Sequence, residues 1–196
     1  NIVPGDPVRV MMGDMADEAT VQQVRHTMGL DKPIPEQYAN WFVKMLGGDF
    51  GTSYTQKRPV IALLTKALVV TLRLAVFAYL FAVVLGLLMG ILAAVNHGKW
   101  LDRTLMSAAI FGISAPSFWV ALVLQIIFAL TLKWFPLSGV KTPTAYVLPV
   151  IALGSRYAAS IARVTRTSML DVLNQDYIRT AEAKGLKRSA IVLKHA

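Results

Sequence analysis

The sequence predicts an all-α protein, a polytopic transmembrane helical bundle of which this chain carries about three spans. Three observations lead there. Of its 196 residues, 55% are hydrophobic and the mean hydropathy is +0.53, whereas soluble domains sit at roughly 45–50% apolar. The excess lies after Ala67, in long runs parted by short polar loops. A basic segment follows the last run, as a cytoplasmic flank does.

Residues 1–66 read as an extracytoplasmic helical segment, polar and punctuated. Pro4-Gly5-Asp6-Pro7 signals a turn. A helix is expected from Asp17 to Met28, with Val21, Val24 and Met28 on one side and Gly29 as its stop. A second is expected from Pro35 to Leu46, with proline in its first turn and Gly47 past its end. Its Tyr38, Trp41, Phe42, Met45 and Leu46 make one apolar face. That face needs a cover. Its own transmembrane helices or the membrane interface are favoured over a soluble partner.

Residues 67–196 read as the transmembrane domain, ending in a cytoplasmic loop over 163–196. Spans are expected at 67–95, 105–132 and 146–162. About 20 apolar residues cross a bilayer, so the first run must tilt or project. Residues 163–196 hold seven Lys/Arg against three Asp/Glu, while residues 1–66 hold seven of each. The C-terminal part and the 96–103 loop therefore face the cytoplasm, and the 133–143 loop and residues 1–66 face outward. The same distribution explains the net charge of +9 better than nucleic acid does, and no nucleic-acid partner is expected. Membrane lipid is expected around the spans.

Catalytic and cofactor chemistry finds no footing. There is no cysteine, and His26, His97 and His195 are far apart without metal-ligand spacing. No glycine-rich turn runs into Gly-Lys-Ser or Gly-Lys-Thr, and no nucleophile, base and acid cluster stands out. We expect no catalytic residue, metal or cofactor, and any ATP hydrolysis in separate subunits.

Several residues inside the spans stand out. Ala82, Gly86, Gly90 and Ala94 form a small-residue stripe that lets helices approach closely. Gly154, Ala158 and Ala162 repeat the idea. Packing within the subunit is favoured over a subunit interface. Pro116, flanked by Ser114 and Ser117, removes a backbone hydrogen bond and bends its helix; it lines a pathway or is plain architecture. Arg73 and Arg156 are charges in apolar runs, which face a cavity, pair or snorkel. Arg73 is near a span end and is expected to snorkel. Arg156 is deeper, and faces either the translocation path or a partner subunit.

The last segment, Asp176 to Leu186, is short, polar and stopped by a glycine. Tyr177, Ile178 and Ala181 give it a small apolar face, and a second helical stretch begins at Lys187-Arg188. Taken alone, it reads equally as a docking element or as a basic loop on anionic lipid.

At this point the chain resembles the membrane subunits of binding-protein-dependent ABC importers, above all the first permease of the dipeptide, oligopeptide, glutathione and nickel branch. Pro4 to Pro7, Met28 to Pro33, Gly48 to Ser53, Ala162 to Met169 and Asp176 to Leu186 carry the resemblance. The general importer signature, Glu-Ala-Ala, three residues, then Gly, aligns with Arg179, Thr180, Ala181 and Gly185. The acidic residue is therefore replaced, as the peptide branch tolerates.

The resemblance implies a type I ABC importer permease fold and a second permease subunit. It further implies two ATP-binding subunits and an extracytoplasmic substrate-binding protein. It makes Asp176, Tyr177, Ile178, Arg179, Thr180, Ala181, Ala183, Lys184 and Gly185 the ATPase-coupling loop. Arg156 and Pro116, singled out above, are then the candidates for the path of a di- or oligopeptide or glutathione. Nickel is the alternative cargo. A secondary transporter or channel is a weaker rival, since the expected spans hold no carboxylate. A membrane-embedded enzyme is weaker still.

The start without Met and the stop at Lys194-His195-Ala196 suggest an internal piece of a longer inner-membrane polypeptide, lacking its first, fifth and sixth spans.

Overall fold

The computed structural model describes residues 7–13, 16–53 and 55–194. Most of the turn at residues 4–7, and His195, lie outside them. The chain divides into two units, Asn1–Val69 and Val70–Ala196.

In the first unit, α1 (Pro7–Met12) and α2 (Glu18–Thr27) pack together, and Val8 of one and Val21 of the other are fully buried. An Arg9–Glu18 ion pair spans the same two helices. α2 ends in a Schellman turn: Gly29 N–H donates to His26 O at 2.9 Å and Leu30 N–H to Arg25 O at 3.0 Å. α3 (Ile34–Leu46) ends the same way, but Gly47 stays at φ −76° and Gly48 takes the left-handed position at φ +83°. The helix ends at Leu46 as expected, with Gly47 next; the left-handed turn falls on Gly48, because the last turn closes over Gly47 before the chain reverses. α3 buries none of its residues, so Tyr38, Trp41 and Phe42 remain exposed.

α4 (Val60–Val95) begins seven residues before the expected span, since nothing after Pro59 interrupts helical geometry. Its 36 residues measure about 54 Å at 1.5 Å per residue, well beyond a hydrocarbon core of roughly 30 Å.

In the second unit, α5 (Trp100–Ser114) and α6 (Ser117–Leu124) meet at a 105° bend. The expectation of one span over 105–132, merely kinked at Pro116, understates this turn. Proline disfavours helical geometry in the residue before it, and Ala115 is extended at φ −72°, ψ 129°. Pro116 is extended too, at ψ 133°. Two successive extended residues end one helix and start another. Among the described residues, neither the Ser114 nor the Ser117 hydroxyl takes up a freed backbone group.

α6 runs on as a π-helical turn over Gln125–Thr131. There Leu132 N–H donates to Ile127 O, and the Thr131 hydroxyl to Ile126 O, each at 2.9 Å. Gln125 Nε2 donates to Leu137 O at 2.8 Å and ties this turn to the following loop.

α7 (Val147–Leu173) continues past the expected span end at Ala162, for no breaker intervenes before Asn174. α8 (Asp176–Ala183) and α9 (Arg188–Lys194) follow. Among the described residues, two helical stretches, Val60–Val95 and Pro143–Leu173, are long and apolar enough to cross a membrane. The bent α5–α6 pair, read as one span, makes a third.

α7 packs against α4 and α5 by absence of side chain. A Cβ added at Gly86 would lie 2.7 Å from Ile161 Cβ, and one at Gly90 2.6 Å from Thr165 Cβ. Across the seam, a Cβ at Gly154 would lie 2.9 Å from Ala78 O. Ala82 and Ala94 are buried along the same stripe of α4. In lipid, van der Waals contact between close backbones replaces the hydrophobic drive.

Gly90→Val should therefore force α4 and α7 apart, costing about 1–3 kcal/mol as overpacking does. Thermal unfolding of the full-length protein in detergent would show a lowered midpoint. Leu88→Ala, on the exposed face of α4, should leave that midpoint unchanged.

Candidate coupling site

The second face of α7 carries Ser155, Ala159, Ala162 and Arg166, at offsets of four, seven and eleven residues. α5 presents Gly112, Ala109 and Asp102 to it. A Cβ at Gly112 would sit 3.3 Å from Ala159 Cβ, and Ala109 is fully buried. At the far end the small residues give way to a charge pair. Arg166 Nε donates to Asp102 Oδ1 at 2.6 Å and Nη2 to Oδ2 at 2.8 Å, a bidentate fork. Gly98 N–H also donates to Oδ2, at 3.0 Å. Asp102 is only 3% exposed.

His97 completes the cluster. Its Nδ1 lies 3.0 Å from Arg166 Nη2 and 3.3 Å from Asp102 Oδ2. The turn after α4, the start of α5 and the lower part of α7 are thereby held at one point. Inspection of the sequence missed this pair. Its signal was there: Arg166 extends a small-residue stripe of α7, and Asp102 extends one of α5. A charge at the end of a buried stripe requires a counter-charge.

Beyond Leu173 the chain turns at Asn174 and Gln175 into α8, whose amphipathic pattern is sharp. Ile178 and Ala181 are buried with Ile191 of α9, and Val172 and Leu173 of α7 pack on this core. The expected apolar face of Tyr177, Ile178 and Ala181 is therefore divided. Ile178 and Ala181 are consumed inside the unit, because α9 folds back over them. Tyr177 stays exposed, as do Asp176, Arg179, Thr180, Ala183 and Lys184.

Gly185 makes the fold-back possible. It sits at φ +79°, and a Schellman turn closes with Gly185 N–H on Glu182 O at 2.9 Å and Leu186 N–H on Ala181 O at 3.3 Å. Arg188 Nη2 reaches to 3.5 Å from Val95 O at the end of α4.

Arg156 and Pro116 lie elsewhere. Arg156 is exposed on α7, on the side away from Gly154 and Ala158, in a row with Ser160, Arg163 and Thr167. Pro116 stands at the bend. Next to it a cavity of about 440 Å³ is bounded by Ser117, Gln125, Gly139 and Pro149. The structure does not bring Arg156 or Pro116 into the Asp102–Arg166 cluster. Among the described residues, no group of His, Asp and Glu is arranged to hold a metal ion.

Removing the acid should be far worse than removing the pair. Asp102→Asn leaves the partly buried Arg166 guanidinium without its counter-charge, at about 1–3 kcal/mol. Asp102→Asn with Arg166→Gln should recover much of that loss. A double-mutant cycle on thermal unfolding of the full-length protein checks it; additive single effects would contradict the coupling.

Comparison with known proteins agrees with this architecture. Residues 86–196 match the family described as binding-protein-dependent transport system inner membrane component. Residues 1–75 match the family's N-terminal membrane component. Among curated relatives, a glutathione transport system permease protein GsiC from Pectobacterium atrosepticum is 43% identical over 195 residues. Proteins of the same name from Salmonella choleraesuis and Escherichia coli K12 are each 40% identical over 195 residues. The matches cover 100% of this chain and 64% of each relative. With a family match over more than half its residues and helices long and apolar enough to cross a membrane, the chain belongs to the binding-protein-dependent transport system inner membrane components.

Proposed function

We propose that this chain is part of a permease subunit of an ATP-driven ABC importer for peptides, with di- or oligopeptides or glutathione as cargo. A substrate-binding protein delivers the cargo from outside, a second permease completes the path, and two ATP-binding subunits supply the work. The names of the relatives favour glutathione and peptides over nickel. Residues 163–196 then face the cytoplasm and residues 1–66 the outside, as the charge distribution supports.

The observation that carries this reading is the α8–Gly185–α9 unit. It has its own small core, so it is stiff, and it presents Asp176, Tyr177, Arg179, Thr180 and Lys184 outward. A stiff polar knob suits a groove on a soluble ATPase. Val172 and Leu173 join its core to α7, and the Asp102–Arg166 fork joins α7 to α5. A push on α8 therefore moves this end of the bundle as one block. Transport needs only that ATP binding favour one of two states of that block.

Arg156 is the candidate path residue. Its exposed position in a membrane helix calls for water, an anionic group or a partner subunit, and a peptide carboxylate meets that need. Pro116, by turning the chain 105° beside a cavity, is the second candidate.

Affinity purification of the full-length permease in mild detergent tests the coupling role. The wild type should recover a second permease and an ATPase. Gly185→Val forces a β-branched residue to positive φ, and Tyr177→Ala with Arg179→Glu alters only the exposed face. Both variants should lose the ATPase about tenfold or more, about 1.4 kcal/mol, and keep the second permease. Full ATPase recovery with the surface variant would contradict the assignment.

A further inference from the structure

Arg73 has a second setting that the transport reading does not use. It lies with Lys141 at one end of an open cavity of about 690 Å³ between α4 and α7. Phe77 and Tyr146 stand next, their ring centroids 6.4 Å apart in an edge-to-face contact. Val150 and Ile151 line the wall further along. Phe81, which also borders the cavity, is eight residues from Arg73, about 12 Å along the helix at 1.5 Å per residue. Among the described residues, neither Arg73 nor Lys141 has an ion-pair partner.

We infer that this cavity is a binding site for one anionic phospholipid of the surrounding bilayer. Arg73 and Lys141 hold the phosphate, and an acyl chain lies along Phe77, Val150 and Ile151. Two cations at one end and an apolar wall beyond them match the two ends of such a lipid. A peptide would need polar partners along its main chain, and the wall past Tyr146 offers none. Arg73 stands about 33 Å along α4 from Val95, near one hydrocarbon thickness. The cations therefore sit at headgroup level when Val95 lies at the opposite interface. Phe77 is 52% exposed on this flank, so the cavity opens sideways. This inference requires only that the helices lie in a membrane, whatever the cargo.

The test uses the full-length permease with its partner subunits, reconstituted in vesicles of equal parts phosphatidylglycerol and phosphatidylcholine, with retained lipid read by native mass spectrometry. Phosphatidylglycerol should be retained in preference to phosphatidylcholine. Arg73→Gln with Lys141→Gln should weaken retention about 30-fold, the factor from two charges at about 1 kcal/mol each. Arg73→Lys should keep the preference, and Val150→Trp, which fills the cavity with both charges intact, should abolish it. Equal retention of the two lipids by the wild type would overturn the site, as would unchanged retention by the double glutamine variant. A cross-link from a cysteine placed at Val150 to another segment of the permease would show protein occupying the cavity, and would overturn it too.

Discussion

The fork between Arg166 and Asp102 is the constraint from which the rest of the second unit follows. A guanidinium cannot shed its charge, so a helix that carries one on its packed face must meet an acid there. Asp102 meets it from α5, and Gly98 supplies another donor from the turn after α4. That one point sets the register of α5 against α7, placing Gly112 opposite Ala159. The antiparallel seam then admits only small residues, and α4 closes on the other side of α7 through Gly86 and Gly90. Such a pair adds little stability over an apolar replacement. Its contribution is a single defined arrangement at the end of the bundle that carries α8.

Much of this was legible in the residues. The run after Ala67, the glycine stripe and the short segment before Gly185 each follow from periodicity and composition. The glycine stops of α2 and α8 were read correctly because a left-handed residue leaves a mark in sequence. What stayed hidden was long-range. Asp102 and Arg166 are 64 positions apart, and only the antiparallel seam brings them together. The bend at Pro116 was foreseen in place but not in size, since local rules do not say whether a proline kinks a helix or ends it. The burial of Ile178 and Ala181 depends on α9 folding back, which no pattern within α8 reveals.

The two ends of α7 differ in kind. Toward Leu173 it is bound to its neighbours by charge and by the small core under α8. Nearer Val147 its packing is looser, with cavities toward α6 and toward Arg73. A stiff end suits the transmission of force, and an open end suits contact with lipid or cargo. The exposed row through Arg156 and Ser160 lies between them.

The central claim is that the start of α5 and α8, the proposed coupling helix, move as one body. Distances between spin labels at Arg103 and Glu182, both exposed, test it most directly in the assembled transporter. A narrow distribution that is the same with and without ATP, and that broadens in Asp102→Asn, is the predicted result. A distance that shifts with nucleotide in the otherwise unaltered protein would contradict the account.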